Sequence, residues 1–224
     1  VTGMELDGEI KKVHTESGDY EARAVIIATG AKHRTLGLPR EEELIGSGIS
    51  FCAVCDGAFF AGEEVVVVGG GNSAMQEALL LSETAKSVTM VQNLPELTGE
   101  KSLQSQISAK KNIKVITDSL VTAYLGESEI EGIKIKNTAD NTETAIVCKG
   151  VFIAVGLVPA TDFINGIVTL DKSGYIEADE SCLTNIPGVF AAGDCRTKST
   201  RQITTATADG AAAALAACRM LGRA

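Results

Sequence analysis

The chain has 224 residues with 20 Lys and Arg against 29 Asp and Glu, so its formal net charge is −9 at pH 7. A composition that is 45% hydrophobic and 22% charged is typical of a globular protein and excludes a disordered or fibrous one. The acidic balance and the aromatic content of 4% argue against nucleic acid as a partner. No apolar run reaches the roughly 18 residues of a membrane span, and the first residues do not resemble a signal peptide. We therefore expect a cytoplasmic protein without a membrane partner.

Short apolar runs that end near glycine or aspartate are the main structural signal. Such runs are typical of parallel strands that are covered on both faces. They predict strands over 24–28, 65–68, 88–91, 113–116, 130–135 and 151–155. The spacing of apolar residues predicts helices over 73–84 and 204–221. Strands that alternate with helices predict an α/β fold built from right-handed βαβ units.

Two turns that contain Gly and Pro follow apolar strands and are interpreted as domain crossings. They lie within 31–39 and 156–161. If the chain crosses between domains at both, 36–158 form an inserted domain. The flanks, 1–35 and 159–224, then pair into a second, discontinuous domain.

A glycine-rich turn follows the strand predicted over 65–68 and opens the helix predicted after it. It reads Gly69-Gly70-Gly71-Asn72-Ser73-Ala74 and fits the pattern G-x-G-x-x-G/A. In this context glycines let the backbone approach a pyrophosphate, and the helix N-terminus offers free N–H groups. The predicted cofactor-binding residues here are Gly69, Gly71, Asn72, Ser73 and Ala74. The alternative is a turn whose glycines serve only tight packing.

The same fingerprint uses an acid about 20 residues further on to bind a ribose hydroxyl, or a basic residue to bind a 2′-phosphate. The chain reads Val-Gln-Asn-Leu-Pro-Glu over 91–96, and no Arg or Lys follows until Lys101. The residues that would choose between NAD and NADP are therefore missing from this pattern.

The segment Cys52-Ala53-Val54-Cys55-Asp56 combines a close cysteine pair with a carboxyl group. A Cys-x-x-Cys pair can cycle between disulfide and dithiol, and Asp56 can exchange the proton. Half of a zinc site is the alternative, but zinc needs two more ligands and the only histidines, His14 and His33, are isolated. We predict a redox pair and no metal. The four remaining cysteines lack paired spacing and are expected to be small buried apolar residues: Cys148, Cys182, Cys195 and Cys218.

A third pattern runs from Val189 to Cys195 and continues with Arg201-Gln202-Ile203 before a helix. A buried strand that ends in Gly193-Asp194 can place a carboxylate against a sugar-alcohol hydroxyl. The helix N-terminus that follows can face a group that becomes anionic on reduction, such as a flavin ring. Taken alone, Gly-Asp is a common turn.

These motifs together give the chain a family resemblance. Ala28-Thr29-Gly30, the segment from Cys52 to Gly57, the turn over 69–74, and 189–194 with Arg201-Gln202 occur in the order and spacing of bacterial low-molecular-weight thioredoxin reductases. The chain resembles that family over essentially its whole length. The resemblance implies two Rossmann-like domains, an FAD domain interrupted by a pyridine-nucleotide domain that carries the redox cysteines. It also implies a homodimer whose domains rotate to show the cysteine pair alternately to flavin and to thioredoxin.

The resemblance also implies roles for individual residues. Cys55 would face the flavin, Cys52 would attack the thioredoxin disulfide and Asp56 would be the acid. Asp194, Arg201, Gln202 and Ile203 would touch FAD. Thr29, Gly30 and Gly193 are further predicted cofactor-binding residues. Gly71, Asn72, Ser73 and Ala74 would lie at the pyrophosphate of a nicotinamide cofactor.

Two departures from the family pattern matter. The family begins with a Gly-x-Gly-x-x-Gly turn that holds the FAD pyrophosphate, and this chain does not contain one. We therefore expect an incomplete FAD domain, with FAD bound by a longer protein, or alternatively a flavin-free, non-catalytic fragment.

The second departure lies over 92–98, where the family's basic 2′-phosphate residues are replaced. This puts NADPH in question as the donor, and the chain also resembles relatives that take electrons from ferredoxin or another donor. The partner implied is thioredoxin or a related small disulfide protein, and a peroxiredoxin is not distinguished from it.

Overall fold

A computed structural model describes residues 1–164 and 166–223. It divides into two compact units, one formed by Val1–Lys32 with Leu157–Ala224 and the other by His33–Gly156. The sequence-based boundaries lie at 35/36 and 158/159, and the assignment of a cofactor to each unit remains a prediction. We call the continuous unit, His33–Gly156, the disulfide unit and the other the split unit.

The secondary structure alternates short strands with helices. The strands are β1 (Gly3–Glu5), β2 (Lys11–Thr15), β3 (Gly18–Ala22), β4 (Val25–Ile27), β5 (Ala31–His33), β6 (Ile49–Ser50), β7 (Glu64–Val68), β8 (Ser87–Val91), β9 (Ile113–Ile116), β10 (Ser119–Leu125), β11 (Gly132–Asn137), β12 (Glu143–Val147), β13 (Gly150–Ile153), β14 (Leu157–Pro159) and β15 (Val189–Ala191). The helices are α1 (Glu41–Leu44), α2 (Ala53–Asp56), α3 (Asn72–Ser82), α4 (Lys101–Ala109) and α5 (Ile203–Met220). No helix in the described part of the chain is both long and apolar enough to cross a membrane.

The disulfide unit is built on a five-stranded sheet with the order β6-β13-β7-β8-β9. Each neighbouring pair in this sheet is parallel. A separate three-stranded sheet, β10-β11-β12, is antiparallel. The parallel sheet with its helices confirms the predicted α/β class.

Strand β7 explains why the sheet is covered on both faces. Its residues alternate: Val65 and Val67 pack with α3, and Val66 and Val68 pack with the antiparallel sheet. All four are nearly inaccessible to solvent. Burying a valine side chain contributes roughly 1.5–3 kcal/mol, so an uninterrupted valine run favours a strand between two layers.

The split unit has its own core. Strands β1, β2 and β3 form an antiparallel sheet, and β4 pairs with β15 in parallel. Val189 and Ala191 of β15 pack with Leu6 and Ile27, whereas Phe190 packs with the alanines of α5. The same alternation seen in β7 therefore places α5 on one face of β15.

Two sequence-based expectations need correction. The strand predicted over 130–135 begins at Gly132, because Ile130 is a buried loop residue whose N–H donates to the Ser47 carbonyl at 3.0 Å. Cys148, Cys182 and Cys195 are buried as expected, but Cys218 is exposed. The buried stripe of α5 includes Ala213 and Ala217, and the next residue is rotated by about 100° towards solvent.

Candidate functional site

The two cysteines of the Cys-x-x-Cys segment form a disulfide at the start of α2. Their Cα atoms are 5.3 Å apart. The Cys55 N–H donates to Cys52 Sγ at 3.1 Å, and the Asp56 N–H donates to the Cys52 carbonyl at 3.0 Å. Cys52 is half-buried and Cys55 is exposed. One turn of helix thus closes the disulfide ring and leaves Cys55 exposed to solvent.

A buried serine holds the carboxylate beside this disulfide. The Ser50 hydroxyl donates to Asp56 Oδ2 at 2.6 Å and accepts the Cys52 N–H at 3.1 Å. Ser50 ends strand β6 and is 4% exposed. Sequence reasoning missed this residue, although a lone polar side chain between Ile49 and Phe51 is a signal that could have found it.

Small residues seat the disulfide segment against α3. Ala53 is buried in the same cluster as Ala74 and Ala78. A Cβ added to Gly57 would lie 3.1 Å from Leu81 Cδ2. Larger side chains at Ala53 or Gly57 would push the segment away from α3.

The potential metal ligands do not converge. His33 stacks on Phe51 with ring centroids 4.9 Å apart, and His14 lies between Asp19 and Glu5 in the split unit. Across residues 1–164 and 166–223, no three His, Cys, Asp or Glu side chains come together as a ligand set.

The glycine-rich turn borders a cavity of about 670 Å³ in the disulfide unit. It joins β7 to α3, and Gly69 has φ 131°. Gly71 precedes α3, and a Cβ there would meet no atom within 4 Å. The side chains that border the cavity in the described structure are all uncharged: Thr35, Leu36, Val68, Asn72, Ser73, Val91, Gln92, Asn93, Leu94, Thr98, Ser119, Leu120, Val121, Ala154 and Val155. The arrangement suits a neutral or backbone-bound ligand group.

Gln92 occupies the strand tip where the fingerprint has its specificity residue. Its side chain is 5% exposed and packs on Gly70, where an added Cβ would lie 2.5 Å from Gln92 Cδ. Its amide donates to the Glu96 carbonyl at 3.3 Å. A buried amide therefore fills the position that would carry an acid or a base.

The loop after Gln92 folds back over the turn. The Thr98 N–H donates to the Gly70 carbonyl at 2.8 Å. Asn72 accepts the Glu100 N–H at 2.7 Å and donates to Glu100 Oε1 at 3.1 Å. The side chain of Asn72, predicted at a pyrophosphate, thus ties the loop to α3, while Ser73 and Ala74 follow it in the first turn of α3.

In the split unit, the parallel strands β4 and β15 bring two predicted segments to one sheet edge. The Ala192 N–H donates to the Ile27 carbonyl at 2.9 Å, so Thr29-Gly30 and Gly193-Asp194 follow neighbouring strand ends. Thr29 Oγ1 donates to the Ala160 carbonyl at 2.7 Å. Both glycines have positive φ, 72° at Gly30 and 80° at Gly193.

Asp194 has one carboxylate oxygen, Oδ1, that is buried and unpartnered within the described residues. Arg201 lies over the Tyr175 ring at 3.9 Å, and its Nε donates to the Asp194 carbonyl at 3.4 Å. Gln202 precedes α5, and its N–H donates to Thr205 Oγ1 at 3.1 Å. Ile203 is 83% exposed. Leaving a buried acceptor such as Asp194 Oδ1 without a donor costs free energy, and a hydroxyl group from a ligand would supply that donor.

Asp209 of α5 is a second residue that sequence reasoning missed. Its Oδ2 accepts the Gly193 N–H at 3.0 Å and lies 2.8 Å from Lys198 Nζ and 3.8 Å from Arg196 Nε. Burial alone would raise the pKa of Asp209, but the hydrogen bonds from Lys198 and Gly193 hold it below its ordinary value. Asp209 thus fixes the turn that carries Asp194.

Comparisons with known proteins agree with this geometry. Residues 1–210 match the family described as pyridine nucleotide-disulphide oxidoreductase. The thioredoxin reductase of Listeria monocytogenes is 47% identical over 207 residues, which cover 92% of this chain and 65% of that protein. A 34.2 kDa protein in the rubredoxin operon of Clostridium pasteurianum is 43% identical over 219 residues, which cover 98% and 71%.

The solved structures give the same result. The thioredoxin reductase of Streptococcus pyogenes has a TM-score of 0.86 at 43% identity over 99% of this chain and 72% of that one. For the Lactococcus lactis thioredoxin reductase the TM-score is 0.76 at 41% identity, over 100% and 74%. The chain spans about two-thirds to three-quarters of the length of these relatives. The resemblance predicted from the motifs is confirmed: the chain belongs to the pyridine nucleotide-disulphide oxidoreductase family and is an oxidoreductase of the thioredoxin-disulfide reductase type.

Proposed function

We propose that this chain, within a longer flavoprotein, passes electrons from a reduced donor through FAD to the Cys52–Cys55 disulfide and on to thioredoxin. The observation that carries the proposal is the disulfide itself, in which Cys55 is exposed and next to which Ser50 holds the Asp56 carboxylate. Two electrons and two protons convert the disulfide to a dithiol. Cys52 then attacks the disulfide of thioredoxin to form a mixed disulfide. Cys55 attacks Cys52 in that mixed disulfide and releases reduced thioredoxin, while Asp56 exchanges the proton.

The split unit suits FAD. The unpartnered Oδ1 of Asp194 fits a hydroxyl of the flavin's sugar-alcohol chain. Arg201, Gln202 and Ile203 follow at the start of α5, whose N-terminus offers a positive partial charge. When bound, FAD would supply the two-electron chemistry that reduces a disulfide. We also propose that the longer protein is a homodimer and is located in the cytoplasm.

Serine substitution of each cysteine tests the proposal in the longer protein. Because a single cysteine cannot form the internal disulfide, we expect Cys52→Ser and Cys55→Ser each to lose at least about 100-fold in thioredoxin reduction, on the order expected for loss of a nucleophile. The assay follows insulin-coupled thioredoxin turnover with NADPH, NADH or reduced ferredoxin as donor. Cys218→Ser is the matched control, since Cys218 is an exposed cysteine outside the site. Full activity in either of the first two variants contradicts the proposal.

A donor other than NADPH is favoured by the neutral border of the cavity. The 2′-phosphate of NADPH is bound best by Arg or Lys, and each charge-assisted contact contributes about 1.5–3 kcal/mol. The loop over 92–98 has none of these side chains. The Gln92 side chain packs on Gly70 and donates to the Glu96 carbonyl. We therefore propose that the electron donor is ferredoxin or another reductant rather than NADPH. A nicotinamide dinucleotide without the 2′-phosphate is one such reductant.

Flavin bleaching distinguishes the donors. In the longer protein we expect NADPH to bleach the flavin only at high concentration. Asn93→Arg combined with Leu94→Arg is expected to lower the required NADPH concentration by about 10-fold or more, because about 1.4 kcal/mol of added binding corresponds to a factor of ten. The same variant should not change the response to NADH. Rapid bleaching of the unaltered protein by micromolar NADPH would overturn this donor assignment.

A further inference from the structure

Ser50 connects the two chemically active parts of the disulfide segment. Its hydroxyl proton has two candidate acceptors, Asp56 Oδ2 at 2.6 Å and the Cys52 carbonyl at 3.5 Å. The bond to Asp56 is much the shorter, so the Ser50 hydroxyl donates to Asp56 Oδ2 rather than to the Cys52 carbonyl. The oxygen then has its lone pairs free for the Cys52 N–H at 3.1 Å.

The backbone of Ser50 is fixed independently of the disulfide. Strand β6 pairs with β13, and Ser50 lies opposite Phe152 in that register. Phe152 is fully buried. The sheet therefore holds Ser50 in place, and the hydrogen bond from its hydroxyl holds the Asp56 carboxylate of the short helix α2 in place.

A purely local role does not account for this arrangement. A serine that accepts the N–H two residues ahead is a common turn feature and needs no carboxylate. The bond to Asp56 spans six residues and joins the end of β6 to the end of α2. Within the described residues, Asp56 Oδ1 makes no hydrogen bond, so Ser50 holds one carboxylate oxygen and leaves the other available.

We propose that Ser50 is a positioning residue that aims Asp56 at the disulfide, an assignment that rests on the proposed function. When a thiolate attacks one cysteine sulfur, the S–S bond breaks and the leaving sulfur keeps the electron pair. Asp56 gives that sulfur a proton from Oδ1 and becomes a carboxylate, whose Oδ2 receives the Ser50 hydrogen bond. Asp56 later regains its proton from water.

The test uses the 224-residue chain and dithiothreitol, so it requires neither flavin, donor nor thioredoxin. One dithiothreitol thiolate opens the disulfide, and its second thiol displaces the mixed disulfide. The products are two cysteine thiols and the cyclic disulfide of dithiothreitol. Acid quenching, alkylation and mass measurement give the rate as the appearance of two added alkyl groups.

Two variants of similar shape isolate the hydroxyl. Ser50→Thr keeps the hydroxyl, whereas Ser50→Val replaces it with a methyl group. We expect the threonine variant to react within about twofold of the unaltered chain. The valine variant should react at least about 10-fold more slowly, because a misplaced Asp56 loses part of the roughly 10²–10⁴-fold that a positioned general acid contributes. The solvent deuterium isotope effect should fall in the valine variant only, because the sulfur then leaves as a thiolate without a proton transfer from Asp56. Equal rates and isotope effects for the two variants overturn the proposal.

A double-mutant cycle shows whether Ser50 acts through Asp56. Ser50→Ala should slow the reaction of the unaltered chain but cause no further loss in the Asp56→Asn background. An equal loss in both backgrounds overturns the assignment. Ser82→Ala is the matched control: Ser82 is a buried serine of the same unit whose hydroxyl donates to the Leu79 carbonyl at 2.6 Å, away from the site.

The outcomes separate this inference from the proposed function. If the longer protein reduces thioredoxin but the valine and threonine variants behave alike with dithiothreitol, only the Ser50 assignment fails. If the longer protein shows no thioredoxin reduction but the variants differ as expected, the proposed function fails and Ser50 still aims Asp56 at the disulfide.

Discussion

Glu77 lies on α3 on the same side as Ala74 and Leu81, both of which are buried. One of its carboxylate oxygens, Oε2, is buried and has no hydrogen-bond partner within the described residues. Desolvation raises the pKa of Glu77 to about 7 from an ordinary value of 4.5. Glu77 therefore changes its charge near pH 7, inside the helix that supports the disulfide segment.

This burial predicts a pH-dependent stability. The folded chain binds the Glu77 proton more tightly than the unfolded chain does. The stabilisation that this difference contributes is fully present below pH 4.5 and is lost as pH rises through about 7. Glu77→Gln removes the titration. We expect its melting temperature to equal that of the unaltered chain near pH 5 and to exceed it near pH 8 by roughly 2–4 °C for each kcal/mol recovered.

Glu143→Gln provides the control, because Glu143 is exposed in the same unit. It should leave the melting temperature unchanged at both pH values. A Glu77→Gln difference that is the same at the two pH values would mean that packing rather than titration causes it.

At the scale of elements, the β7–turn–α3 unit was predicted well because its signals are local. Four consecutive valines favour a strand buried on both faces, and the glycines and the apolar spacing that follow indicate a turn and a helix. The observed bounds are Glu64–Val68 and Asn72–Ser82. The strands β2, β3, β10 and β12 were not predicted, because antiparallel strands with exposed faces carry polar residues that loops also carry.

The three glycines of the turn are expected to differ sharply in their tolerance of a side chain. At Gly69, φ is 131° and an added Cβ would lie 2.5 Å from the Ala154 carbonyl oxygen, a backbone atom just after the end of β13. We expect Gly69→Ala to lower the free energy of unfolding by at least about 1–3 kcal/mol, measured by urea denaturation.

Gly71→Ala is the comparison within the same turn. Gly71 has φ −84°, and a Cβ there would meet no atom within 4 Å. Its substitution should change the free energy of unfolding by less than about 1 kcal/mol. Equal losses for the two substitutions would show that general loss of glycine flexibility, rather than the contact with Ala154, sets the cost.

At the scale of the whole molecule, the two units keep separate apolar cores in the described part of the chain. The split unit joins segments distant in sequence, since β4 at Val25–Ile27 pairs with β15 at Val189–Ala191. Gly and Pro after apolar strands led to the prediction that the chain crosses between domains near 35/36 and 158/159. Which strands pair across such a separation depends on the entire path of the intervening chain.

The sequence by itself determined the α/β class, the family, the redox pair and the missing basic residues over 92–98. Each of these depends on residues close together in the chain or on motifs in a fixed order. Only the tertiary structure revealed that Ser50 holds Asp56, that Gln92 fills the space above Gly70 and that Asp209 holds Gly193. The physical reason is that hydrogen bonds and contacts between separate elements require their relative positions, which propensity and spacing do not contain.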